Sequence, residues 1–383
     1  MATVTRENIG VLNDKITVKV GKEDYLSSFE KALRNYGKTA NIPGFRKGMV
    51  PAGMIKKMHG QAVFTDEVLR AVEKELTKYM TDEKLDIFAQ PLPLEENDAR
   101  SLDVNNPSEY SFGFEVGLKP DFTIADLSKE KVKYYKVTVT DQMVNDHLER
   151  LRKGYGKKKD PDAGNEDANI EPAEINEDLF KAAYPGKDIK NEEEFREQIK
   201  KDIEEYWTSQ SKNQFQHEIY HRLLDHSNIT FPEAFLKRWL ETGTDKRKTT
   251  EEVEKEYPGF VNQLKWTLIN EKIGKEQNLE VTADELKDFA KKQLFGYMGM
   301  QMMDDEQPWV EDYLNRMLQD RKFVDDSFYR IRTEKIFNWA EQQVQRDEEE
   351  IKSEDFEKMV HDHQHVHEHE HEHEHQHDHE HEH

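Results

Sequence analysis

Asn41-Ile-Pro-Gly-Phe-Arg-Lys-Gly-Met-Val-Pro51 interrupts a helical period that holds on both sides of it. Before it, Leu26, Phe29, Leu33 and Tyr36 fall on one face of an amphipathic helix ending near Gly37. After it, Phe64, Val68, Val72, Leu76 and Met80 mark a second, longer helix. The loop between them carries Pro43, Gly44, Gly48, Pro51 and Gly53, residues that turn a chain sharply. Around it, Lys31 to Thr65 holds Lys31, Arg34, Lys38, Arg46, Lys47, Lys56 and Lys57 and no acidic residue, in a chain whose net charge is −24. Screening over about 8 Å at physiological salt lets such a patch meet phosphate despite acid elsewhere. Phe45 at the tip, with two cations beside it, is an apolar plug suited to a surface made of both protein and RNA. A merely solvated basic helix-loop surface is the plain alternative.

Upstream, Ala2 to Ile9 and Asp14 to Val20 read as two strands; Ile16, Val18 and Val20 alternate with lysine and threonine, the period of a half-buried sheet. Downstream, Tyr110, Phe112, Phe114 and Val116 alternate in the same way, so residues 1–120 form a small α+β domain. Residues 121–171 comprise an extended connector over Val132–Val139, a helix capped by Thr140 and ending near Arg152, and a polar linker that offers no strand or core. From 172 to 345 the pattern is helical almost throughout, about seven helices of an all-α body, with Asn191/Glu194 and Thr282/Glu285 as capping pairs. Trp266, Trp309 and Trp339 belong to its core. Residues 346–383 are acidic and His-rich and are expected to be disordered.

Three hundred and eighty-three residues exceed one compact core at roughly 150 residues per domain. Charged residues at 36% and hydrophobic ones at 35% point to an extended molecule with much surface. The segment Asp347–His383 carries fifteen Asp and Glu against two Lys, thirteen of the net negative charges. The absence of cysteine excludes disulfides, Cys-ligated zinc, iron–sulfur clusters and thiol nucleophiles. No apolar run is long enough to span a bilayer, and the N-terminus lacks a secretory signal, so a cytoplasmic location is expected. Nucleophile elbow, P-loop and dinucleotide fingerprint are all missing, so no enzyme is expected.

The run Gly44-Phe-Arg-Lys-Gly-Met-Val-Pro51, set between two amphipathic helices after a strand pair, resembles the signature loop of trigger factor, a bacterial ribosome-associated chaperone family. The segments Ala173–Phe180 and Asn191–Tyr206 resemble the start of that family's C-terminal body. The resemblance implies an ATP-independent chaperone whose Phe45, Arg46 and Lys47, shaped by Gly44 and Gly48, contact protein and rRNA at the tunnel exit of the large ribosomal subunit. It implies nascent and unfolded polypeptides as clients and a homodimer off the ribosome. It also implies an FKBP-like prolyl-isomerase domain between the helix ending near Arg152 and Glu174, where this chain has only the polar linker with Tyr155 as its one aromatic. Isomerase activity is therefore expected to be absent.

A client-holding surface should be broad and adaptable, and Leu294 to Met303 is the best local match, with Phe295, Tyr297, Met298, Met300, Met302 and Met303. Core filling by the same methionines is the alternative. In the tail, His361, His363, His365, His367, His369, His371, His373, His375, His377, His379, His381 and His383 alternate mostly with acids. They offer ligands to a divalent transition metal such as zinc, nickel or copper without a unique spacing. No cofactor is required by the chaperone reading; its alternative is a metal-binding accessory protein that works through this tail. His59, His147 and His226 stand apart. His217 and His221 are spaced i,i+4 and could share a metal, but no His-Glu-Xaa-Xaa-His pattern accompanies them, and they read as surface histidines.

Overall fold

Alternation in residues 13–20 builds the first sheet and helical periodicity builds nearly everything else. The computed structural model describes residues 2–41, 43, 45–46, 49–158, 170–243, 247–297 and 308–371, the last nine as backbone alone. The chain runs through β1 (Thr3–Gly10), β2 (Asn13–Val20), α1 (Lys22–Thr39), α2 (Ala52–Asp82), β3 (Leu92–Pro93), β4 (Tyr110–Gly117), β5 (Lys131–Val137), α3 (Asp141–Gly154), β6 (Lys157–Lys158) and β7 (Ile170–Glu171). It continues through α4 (Glu177–Ala183), α5 (Glu192–His226), α6 (Glu233–Thr242), α7 (Thr250–Glu276), α8 (Ala283–Tyr297), α9 (Pro308–Gln319), α10 (Arg321–Gln343), β8 (Gln345–Ile351) and α11 (Ser353–His371). Two compact units result: Met1–Phe122 with Ile229–Phe260, and Thr123–Asn228 with Val261–His383.

In the first unit the antiparallel order is β1-β2-β4-β3. Ile16, Val18 and Val20 point to the face covered by α1 and α2 and are fully buried. The rings of Tyr25 and Phe29 each meet Phe64 edge to face at 5.3 Å, the preferred geometry of aromatic pairs. Burial pushes the Tyr25 hydroxyl up to about 12, and it donates to the Ser108 carbonyl at 2.7 Å.

The opposite face of this sheet receives α6, a segment that sequence reading assigned to the helical body. Phe235 lies so close to Gly117 that an added Cβ would sit 2.2 Å from its ring. Gly117→Ala should therefore destabilise the unit by about 1–3 kcal/mol through overpacking, seen as a lower urea midpoint at unchanged slope. Beside it, Arg238 pairs with the buried Glu115 carboxylate and donates to the Pro93 carbonyl at 2.8 Å. Asn13 donates to the other Glu115 oxygen at 2.7 Å.

In the second unit, β5 and β8 pair in parallel from Lys131↔Gln345 to Val137↔Ile351, with α5 packed on β5. The expected connector is thus a sheet strand. Lys133 reaches Glu349 at 2.7 Å, and the Arg346 guanidinium stands 3.5 Å above the Tyr134 ring. Disorder from residue 346 is likewise corrected: β8 and α11 carry ordered backbone to His371. The reason is apolar, because Ile351, Phe356, Met359 and Val360 interrupt the polar pattern and join a cluster built on Val144, Leu148, Leu179, Phe195, Ile203 and Trp207. Residues 372–383 lie outside the described residues. A second correction concerns the linker, where Lys157–Lys158 and Ile170–Glu171 pair as two short antiparallel strands.

Of helices α4 to α10, α6 and the start of α7 belong to the first unit, and the rest form the helical body. Thr282 and Glu285 exchange backbone contacts and close their capping box, whereas Asn191 accepts the Glu194 N–H at 2.9 Å and the Glu194 carboxylate reaches one residue further, to the Lys190 N–H at 2.9 Å. Trp266 is buried and stacks on Phe337 at 5.4 Å; Trp339 is half-buried. Trp309 does not belong to the core: it is 41% exposed, because Val310 and Leu314 occupy the inner face of α9. No helix among the described residues is long and apolar enough to cross a membrane.

Candidate functional site

Helices α1 and α2 pack against each other and are joined by the loop of residues 40–51. Near its base the Tyr36 and His59 rings lie 4.7 Å apart, with the Tyr36 hydroxyl 3.4 Å from His59 Nδ1. Ile55 is buried, and a Cβ added at Gly37 would sit 3.7 Å from its side chain. Pro51 opens α2, and its carbonyl accepts the N–H groups of Met54 and Ile55. Within the loop the Met49 N–H donates to the Arg46 carbonyl at 2.9 Å, closing a turn.

That turn leaves Phe45 37% exposed, against a strong tendency of large aromatic rings to be covered, and leaves Arg46 exposed beside it. Gly44, Lys47 and Gly48 lie outside the described residues. Lys31, Arg34, Lys38, Lys56 and Lys57 are all exposed. Among the described residues none of these cations, nor Arg46, is in an ion pair, and the first turn of α2 holds no acid.

Residues overlooked in the sequence enlarge the tip. Met49, Met54 and Met58 are 72%, 39% and 55% exposed, and Tyr36 is also exposed. The signal was present: Met54 and Met58 are i,i+4 and fall off the Phe64–Met80 stripe, so they had no core to enter. Flexible thioethers exposed in and just after the loop offer apolar surface that adapts to a partner.

The expected client surface fares differently. Phe295 is buried with Ala290, Leu294, Val310 and Leu314, so it fills the core between α8 and α9 rather than facing a client. The Tyr297 side chain and Met298, Met300, Met302 and Met303 lie outside the described residues. Among the described residues, Tyr206, Trp309, Tyr313, Phe328 and Tyr329 are exposed aromatics of the helical body. A cleft of about 760 Å³ also opens between α3, α5 and α11, with Ile203 and Trp207 on its floor and Asp146, Glu149 and Arg150 among its lining. Half-buried His147 borders it; burial first, then the Arg150 charge, lowers its pKa.

Of the tail histidines, His361 is exposed on α11. His363, His365, His367, His369 and His371 are described as helical backbone only, and His373 to His383 lie outside the described residues. Among the described residues no group of three or more histidines and acids is placed to hold a metal ion.

Two family models match the chain, the bacterial trigger factor protein over residues 2–151 and the probable trigger factor C-terminal domain over residues 211–360. The trigger factor of Beutenbergia cavernae is 30% identical over 151 residues, 39% of this chain and 31% of its own length. That of Bifidobacterium adolescentis is 31% identical over 180 residues, 45% and 39% of the two chains. The matches span about a third of the length of the curated relatives. A solved structure, from work on promiscuous substrate recognition in folding and assembly by the trigger factor chaperone, superposes with a TM-score of 0.55 at 15% identity, covering 88% of this chain and 99% of that one. That likeness is one of fold.

Proposed function

The chain belongs to the trigger factor family, and from that premise we propose that it is a ribosome-associated, ATP-independent chaperone that holds newly made polypeptides in the cytoplasm. The observation that carries the reading is the exposure, within one stretch of α1, the loop and the start of α2, of the Phe45 ring, of Met49, Met54 and Met58, and of cations that pair with no acid among the described residues. Protein at the tunnel exit would take the ring and thioethers, and rRNA phosphates the guanidinium and ammonium groups. Gly44, Lys47 and Gly48 complete the tip in this proposal. Clients would be held on the exposed aromatics of the helical body and in the cleft floored by Trp207, surfaces broad enough for varied side chains. A homodimer off the ribosome belongs to the same proposal. Prolyl isomerisation does not, because residues 153–171 offer Tyr155 as their single aromatic.

Ribosome co-sedimentation tests the proposal. Wild type should pellet with ribosomes, and Phe45→Ala/Arg46→Ala/Lys47→Ala should bind about a hundredfold more weakly while its circular dichroism is unchanged. Raising the salt should weaken the wild-type complex. Undiminished pelleting of the triple variant would reject the docking tip.

A further inference from the structure

His217 and His221 lie one turn apart on α5, and the chaperone reading gives them no task. Their rings face each other at 69°, centroids 4.5 Å apart, with the two Nε2 atoms 3.2 Å from each other. Two imidazoles bound to one tetrahedral zinc, with Zn–N near 2.0–2.1 Å, hold their nitrogens about 3.3 Å apart. In the free protein this is a hydrogen bond, one imidazole N–H donating to the other ring; an ion would take the place of that proton, the donor ring carrying its hydrogen on Nδ1 instead, with the two nitrogens already near the separation that adjacent ligands of one ion require.

The setting supports this geometry. The Tyr220 ring meets the His221 ring at 5.3 Å and Trp266 at 4.9 Å, so packing against α7 steadies this face of α5. His217 is exposed and His221 half-exposed, leaving a path for an ion and room for water to complete its coordination. We propose that His217 and His221 form a bidentate surface site for a late first-row divalent cation, Zn²⁺, Ni²⁺ or Cu²⁺, bound through the two Nε2 atoms. Imidazole suits these ions, and an i,i+4 pair on a formed helix presents both donors with little ordering left to do. The site is separate from the tail histidines in sequence and depends on none of them.

Because the tail also offers imidazoles, the experiment must read each histidine separately. Diethyl pyrocarbonate modification of the full chain at neutral pH, followed by peptide mass spectrometry, does so. With free zinc about tenfold above the dissociation constant, modification of His217 and His221 should slow about tenfold. His226, whose imidazole contacts Glu130 at 2.7 Å, serves as the reference and should change little. In His221→Gln the protection of His217 should disappear, and in His217→Gln that of His221. Equal modification of His217 in wild type with and without zinc would overturn the site, as would full zinc protection of His217 in His221→Gln. Nickel in place of zinc should give the same pattern.

Discussion

Phe356→Ala is expected to lower the stability of the second unit by about 3–5 kcal/mol, the range for deleting a buried aromatic. Phe356 is 2% exposed, with its ring edge-on to Trp207 at 5.9 Å and near Tyr135 at 6.2 Å. Both neighbours belong to the cluster that joins α3, α4 and α5. Truncation removes the fully buried one of the apolar side chains by which α11 joins this cluster, leaving Met359 and Val360 to hold it beside a cavity. Hydrogen exchange of α11 and β8 peptides should accelerate first, with α5 following, and the urea midpoint of Trp207 fluorescence should fall. Glu349→Gln makes the contrast: its partner Lys133 is on the surface, and the midpoint should not move measurably. A change below about 1 kcal/mol for Phe356→Ala would mean that Phe356 does not anchor α11 to this core.

Arg238→Ala should destabilise the first unit by about 3 kcal/mol, the lower end for breaking a buried pair because Arg238 is itself 28% exposed and Glu115 8%. The loss comes from the carboxylate left behind. Glu115 would keep the Asn13 amide and lose its countercharge, while Pro93 would lose a donor to its carbonyl. Arg238→Met/Glu115→Gln should recover most of the loss, since it removes the charge, keeps the volume and lets the new amide serve Asn13 Oδ1, which has no hydrogen-bond partner. A double variant as unstable as Arg238→Ala would show that packing by the arginine stem, and not charge, is what matters.

The elements whose side chains repeat with a period were legible in the sequence. Ile16, Val18 and Val20 alternate and form a strand; Phe64 to Leu76 recur every four residues and form the buried stripe of α2. The elements that escaped are those whose order comes from partners far along the chain. Residues 131–137 look like a solvated connector until β8, more than two hundred positions later, supplies the other half of the ladder. The strand β8 is mostly acidic and exposed, so nothing local distinguishes it from a tail. At the tip, Phe45 and Arg46 could be picked out because glycine and proline mark a loop and charge marks a surface. Met54 and Met58 were missed because a methionine in a helix is ordinarily core, and only the position of the neighbouring Ile55 shows which way they face.

The first unit is assembled from two stretches separated by more than a hundred residues. As this chain leaves its own ribosome, β4 emerges with Glu115 and Gly117 uncovered, and the helix bearing Phe235 and Arg238 is not yet made. At synthesis rates of about 5–20 residues per second, that face waits roughly 6–24 s for its cover. The chain therefore spends part of its own synthesis with a half-clad sheet face, the kind of unfinished surface that, under the function proposed for it, a mature second copy would shield.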